Sequence, residues 1–216
     1  MQIINGLVKI ASFLFLIDVY AIVNFTIMDR IVVQNVLGGG YYKQADLRQF
    51  ERVSNYLNDI HLLIGVFFFV TFLFWFYYAF QNIQRLDSKL YESKYWVFLA
   101  WFVPVFNLFL PFTMLAKMSR RTYVYLEKRG VNYGGKFPFG VFLLWWFAYI
   151  TFLLVNFLQK VVFSYVSFDF MSNLNLFVHV LNFIGVVVCY SFIRHYIRLQ
   201  EALKSVQNNE DRSFVS

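Results

Sequence analysis

The sequence predicts an all-α integral membrane protein, with four membrane-crossing helices and a third hydrophobic segment broken by prolines. Three observations predict it. Apolar residues make up 60% of the 216 positions, aromatics 23% with 29 phenylalanines, and charged residues only 14%, against about a quarter in soluble domains. The mean hydropathy is +0.56. The apolar residues also fall into five runs close to the roughly 20 residues that cross a hydrocarbon core about 30 Å thick.

The same figures exclude other classes. Cys189 is the only cysteine, so no disulfide scaffold is possible, and the apolar content is too high for disorder. The net charge of +7 would suit nucleic acid only if the basic residues clustered on a folded surface. They lie instead in short connections between apolar runs, as membrane proteins carry them, and nucleic acid is not an expected partner.

The first run, Leu7–Met28, is interrupted by Lys9 and Asp18. Asp18 follows Ile10–Ile17 directly and no small-residue cleavage site comes after it, so the run is expected to be an anchor and not a signal peptide. The second, Leu62–Ile83, carries no charge. The third, Trp96–Ala116, contains Pro104 and Pro111. The fourth covers Phe139–Leu158 and the fifth Leu174–Ile193. Trp96, Trp101, Trp145, Trp146 and many tyrosines lie toward run ends, as interfacial aromatic belts require.

Between the first two runs, Gly38-Gly39-Gly40 marks a flexible turn. An amphipathic helix over residues 44–60 follows, because Leu47, Phe50, Val53, Leu57 and Ile60 recur at helical spacing. No glycine or proline intervenes before Gly65, so this helix is expected to run into the second span. It reads as an interfacial or self-packing helix before a dedicated partner-binding one.

Basic residues fix orientation, since cytoplasmic connections carry the excess. Two topologies each place 14 of the 19 lysines and arginines inside. One has five full crossings with the N-terminus outside. The other has four crossings, the third run entering and leaving on one side, and the N-terminus inside. Both put the segment Lys117–Lys136 and the C-terminus in the cytoplasm. Pro104 and Pro111 favour the second, because proline removes a backbone donor and breaks a helix. Broken backbone at membrane depth needs surrounding protein or a wet cavity.

Two blocks carry a resemblance. Trp75-Phe76-Tyr77-Tyr78-Ala79-Phe80-Gln81-Asn82 closes the second span, and Trp101-Phe102-Val103-Pro104-Val105-Phe106-Asn107-Leu108-Phe109-Leu110-Pro111 follows a short polar link. With the Trp145-Trp146 span and a last span ending at Arg194 and Arg198, this order resembles the bacterial membrane family catalogued as domain of unknown function 4328, over roughly Ala45 to Gln200. The resemblance implies an architecture and no mechanism. One departure is Leu110, where members often carry a basic residue; this leaves five full spans open.

Catalytic and metal signatures are missing: no His-Glu-x-x-His, Gly-x-Ser-x-Gly or P-loop occurs. His61, His179 and His195 lie on different segments, none at metal-ligand spacing from another. No enzyme activity, cofactor or metal is expected. Ionisable residues inside spans are costly and hence functional candidates; Asp18 and His179 are the two. Asp18 is expected to be a satisfied interior acid, paired with an asparagine or tyrosine or held protonated, ahead of a proton or ion relay.

Two polar stripes accompany them: Asn175, His179 and Asn182, with Cys189 beyond, and Thr71, Trp75, Tyr78 and Asn82. Such stripes hold helices together in lipid or line a path; their low charge favours the first. Asn82 and Asn107 are expected to be buried near one another. The basic segment holding Lys117, Arg120, Arg121, Lys128 and Arg129 is expected to meet anionic headgroups, or a cytoplasmic protein.

The leading expectation is a non-enzymatic, membrane-embedded interaction or accessory subunit of the bacterial cytoplasmic (inner) membrane, acting through a partner or its own assembly as a homo-oligomer. The alternative is a small oligomeric pore or transporter-like protein. There the polar stripes and the break at Asn107 would line the path, as broken helices do in transporters. Gene size and type alone add the idea of a membrane-disrupting effector in a bacterial defence or stress context.

Overall fold

The structure, a computed structural model, describes residues 1–37, 44–86, 95–107, 109–131, 139–162 and 168–215. Almost all of these residues are helical, and there is no strand among them. The helices are α1 (Gln2–Leu37), α2 (Gln44–Leu86), α3 (Trp96–Phe102), α4 (Pro104–Asn107), α5 (Leu110–Glu127), α6 (Phe139–Val162) and α7 (Phe168–Val215). The glycine turn at 38–40 and Lys136 lie outside the described residues.

Among the described residues, three helices are long and apolar enough to cross a membrane, over Gln2–Val32, Arg48–Leu86 and Asn173–Asn208. A shorter apolar stretch, Trp146–Val155, lies in α6. Only 22% of the apolar window of α2 is buried. Leu63, Val66, Phe67, Val70 and Phe74 stand exposed at steps of three, one, three and four, on one side of the helix. Water tolerates no such surface; hydrocarbon does.

The chain divides into two compact units, one of Ile10–Phe68 with Leu143–Tyr190, the other of Met1–Lys9, Phe69–Phe142 and Ser191–Ser216. In the first, ring contacts set the helix directions. Phe15 stacks on Phe68 at 5.0 Å and Phe25 on Phe50 at 4.6 Å, so advancing along α1 means retreating along α2. The two are antiparallel. Phe13 meets Tyr190 at 6.3 Å and Tyr20 meets Phe183 at 6.0 Å, which makes α7 antiparallel to α1 as well. Helix α2 is unbroken from Gln44 to Leu86. Of its amphipathic face, Phe50 packs on α1 while Val53 and Ile60 remain exposed.

In the other unit, α2 buries Phe72, Trp75, Phe76, Ala79, Phe80 and Ile83, a face with helical period. Helix α3 lies antiparallel to it: Trp101 meets Phe69 and Phe72 edge-on at 5.8 and 5.7 Å, and Phe98 meets Tyr77 at 5.3 Å. Helix α3 ends at Val103, whose backbone is extended (φ −90°, ψ 114°), as the residue before a proline prefers. Helix α4 is a single turn, and Phe109 (φ −129°, ψ −39°) precedes α5. Helices α3 and α5 pack against each other, although a straight helix would hold Phe102 and Leu110 about 12 Å apart. The segment 96–116 therefore folds back and is not one straight rod.

Helix α5 buries Pro111, Met114, Leu115, Met118, Thr122, Tyr125 and Leu126. It closes at Gly130 (φ +73°). The Val131 N–H donates to the Leu126 carbonyl and the Gly130 N–H to that of Glu127, both at 3.1 Å. This is the Schellman arrangement, which needs a left-handed residue at that position.

Candidate functional site

The first polar cluster sits where α1, α2 and α7 come together in the unit Ile10–Phe68 with Leu143–Tyr190. On α1, Phe15, Asp18, Ile22 and Phe25 recur at steps of three, four and three, and so share one face. Phe15 lies over Gly65, where a Cβ would stand 3.6 Å from its ring, and stacks on His61 at 5.7 Å as well as on Phe68. Seating Phe15 delivers Asp18, one turn on, to His61: Nδ1 and Oδ2 are 2.5 Å apart.

The Asp18 side chain is 5% exposed, that of His61 32%. The acid is thus out of solvent and its imidazole partner only partly so. His179 is part-buried on α7. Asp18 therefore pairs with a histidine, and not with the asparagine or tyrosine that the sequence suggested. His61, just ahead of the second apolar run and read from the sequence only as not at metal-ligand spacing, belongs to the cluster.

The second cluster lies in the other unit. The Thr122 hydroxyl donates to the Met118 carbonyl at 2.8 Å and lies 2.9 Å from the Tyr196 hydroxyl. Its one proton being engaged, Thr122 accepts and Tyr196 donates. The Tyr196 ring stands perpendicular to Trp75 at 5.8 Å. The Trp75 indole N–H and the Gln200 carboxamide are buried with no hydrogen-bond partner among the described residues. One residue away on each helix, Tyr123 hydrogen-bonds to the Nε2 of His195. No sequence spacing pointed to His195 or Gln200.

The other residues singled out from the sequence are scattered. Tyr78 is 41% exposed and touches Tyr77 edge-on, so the Thr71–Asn82 stripe faces more than one environment. Asn82 and Asn107 are part-buried, and neither is sealed in the interior as expected. Pro104 opens α4, Asn107 closes it with its N–H donating to the Val103 carbonyl, and Pro111 is buried in the first turn of α5. Trp101 anchors α3 on α2. Asn175 is exposed, His179 and Asn182 part-buried, Cys189 buried.

The basic residues lie along α5 and just past its C-terminal end. Lys117, Arg120, Lys128 and Arg129 are exposed and Arg121 is part-buried. The Arg129 guanidinium lies 3.6 Å over the Tyr125 ring, a cation–π contact. On α7 of the same unit, Arg194 and Arg198 are exposed opposite the buried Phe192, Tyr196 and Leu199.

Among the described residues, no three of His, Cys, Asp and Glu converge to hold a metal ion. The fold and these clusters define a class: an all-helical chain with long apolar helices fit to cross a membrane, joined inside by paired polar side chains. Within that class it belongs to the family described as Domain of unknown function (DUF4328), which matches residues 42–200. The match contains both the Trp75–Asn82 and the Trp101–Pro111 blocks. No curated protein and no solved structure matches the chain.

Proposed function

We propose that this chain is a non-enzymatic, multi-pass protein of a bacterial inner membrane that works as an interaction subunit, through the basic surface of α5 and the adjoining turns of α7. The observation that carries this reading is the two-sidedness of α5. Its apolar face is packed, while Lys117 and Arg120 on the helix and Lys128 and Arg129 just past its end are exposed. Charges so placed suit anionic headgroups, each lysine or arginine near such a surface contributing about 1 kcal/mol, or an acidic cytoplasmic protein.

In this reading α1, α2, α6 and α7 cross the membrane, α3 to α5 enter and leave on one side, and the C-terminus is cytoplasmic. The fold-back of the segment 96–116 supports four crossings over five. The test is copurification of the full chain, wild type against Lys117→Gln/Arg120→Gln/Arg129→Gln, from membranes rich in anionic lipid. Loss of bound lipid or of a crosslinked cytoplasmic partner in the triple variant is expected. Identical lipid and crosslinks for both proteins would reject the reading.

A further inference from the structure

We propose that Trp75, Tyr196 and Gln200 hold at least one bound water inside the protein, and that this water ties α2 to α7 by hydrogen bonds. All three side chains are buried, at 0, 0 and 2% exposure. All three belong to the unit of Met1–Lys9, Phe69–Phe142 and Ser191–Ser216. The Trp75 indole stands edge-on to the Tyr196 ring at 5.8 Å. Gln200 follows Tyr196 by four residues on the continuous helix α7, and so lies on the same face. A helical side chain leans back over the turn before it, which carries the Gln200 carboxamide toward the Trp75–Tyr196 contact.

Hydrogen-bonding capacity is left over at this contact. The indole N–H and both ends of the carboxamide have no partner among the described residues, so they do not bond to each other. The Tyr196 hydroxyl gives its proton to Thr122 and keeps a lone pair with which to accept. The buried residues beside them in sequence, Phe76, Ile197 and Leu199, are apolar. An unmet donor or acceptor in such surroundings is costly.

Water is the ligand that matches this set. It accepts from the indole, donates to the Tyr196 oxygen, and donates to or accepts from whichever end of the carboxamide faces it. That gives the roughly three hydrogen bonds a buried water makes. An ion would bring a charge that none of these neutral groups balances. Through Tyr196 and Thr122 the same network extends to α5.

The test is nuclear magnetic resonance of the full chain in detergent, with isotope-labelled tryptophan indoles and the Trp75 signal assigned by its loss in Trp75→Phe. The wild type is expected to show a rotating-frame cross-peak between the Trp75 indole proton and water, of the sign that marks through-space contact and not exchange. Gln200→Met keeps the length of the side chain and removes its polar atoms. It should abolish the cross-peak and lower the melting temperature by about 3–8 °C, because the indole and the water lose a partner. A carboxamide without water would give the opposite sign, since replacing an unmet polar group by an apolar one of equal length stabilises. Gln200→Asn, which draws the amide back by one methylene, serves where Gln200→Met fails to fold; its cross-peak should weaken. No water cross-peak at Trp75 in the wild type, a peak unchanged in the Gln200 variant, or a Gln200→Met melting temperature equal to or above that of the wild type would overturn the proposal.

Discussion

The carboxylate of Asp18 and the imidazole of His61 lie 2.5 Å apart although 43 residues separate them in the chain. The contact pins α1 to α2 at one level, and the stacking of Phe15 between His61 and Phe68 orients both partners. Removing the acid leaves an imidazole without its partner against an apolar helix pair. Asp18→Asn should therefore cost about 1–3 kcal/mol, read as a lower melting temperature at pH 7.5. The double variant Asp18→Asn/His61→Gln should lose less than the sum of the single losses. Strict additivity would mean that the two side chains do not depend on each other.

This pairing also shows what the sequence discloses. The five apolar runs, the helical fold, the break at Pro104 and the helix that continues through Gly65 all follow from local rules: run length, proline chemistry and helical spacing. Partners across helices follow only from register. Asp18 stands 19 residues before the end of α1 and His61 17 residues after the start of α2, so counting outward from the Gly38–Gly40 turn would have placed them opposite one another. That count was the available signal. Tyr123 and His195 offered none, because a long connection separates α5 from α7 and fixes no register between them. Asn82 and Asn107, expected to be buried near one another, are each only part-buried: the short link brings α3 to α2, but side-chain burial depends on how the break at Val103 turns α4.

Tyr196 is fully buried and its hydroxyl donates to Thr122, which is itself satisfied through Met118. Tyr196→Phe removes the donor and leaves Thr122 one lone pair short, so it should cost about 0.5–1.5 kcal/mol. Trp75→Ala opens a cavity beside the same ring and should cost about 3–5 kcal/mol. Chemical denaturation in a mild detergent measures both. A Tyr196→Phe loss as large as that of Trp75→Ala would show that the hydroxyl, and not ring packing, holds α7 in this unit.

Gly130 adopts φ +73° to close α5, and among the described residues nothing lies within 4 Å of where a Cβ would stand. The cost of Gly130→Ala is thus backbone strain alone, about 1–2 kcal/mol. Gly130→Asn should cost less, since asparagine tolerates the left-handed region. Equal stability of the alanine variant and wild type, measured by thermal unfolding, would mean that the turn rearranges without penalty.

The last prediction concerns which side of the membrane the turn between α1 and α2 occupies. Basic-residue counting gives two topologies with the same inside total, so charge alone does not choose. They differ at the connection between the first two spans. With four crossings it lies outside, and with five it lies inside. The structure bears on the difference through the segment 96–116. Val103 is extended before Pro104, α4 lasts one turn, and α3 packs back on α5. A plain crossing helix would hold these residues in a continuous rod about 30 Å long, and a segment bent at its prolines suits entry and exit on one side better than that. An epitope tag inserted between Arg30 and Tyr42 is therefore expected to be labelled from outside in intact cells, while a reporter fused after Ser216 reads cytoplasmic. A tag protected from outside reagents, with the same cytoplasmic C-terminus, would mean five full crossings, and the folded-back segment would then have to open in the bilayer.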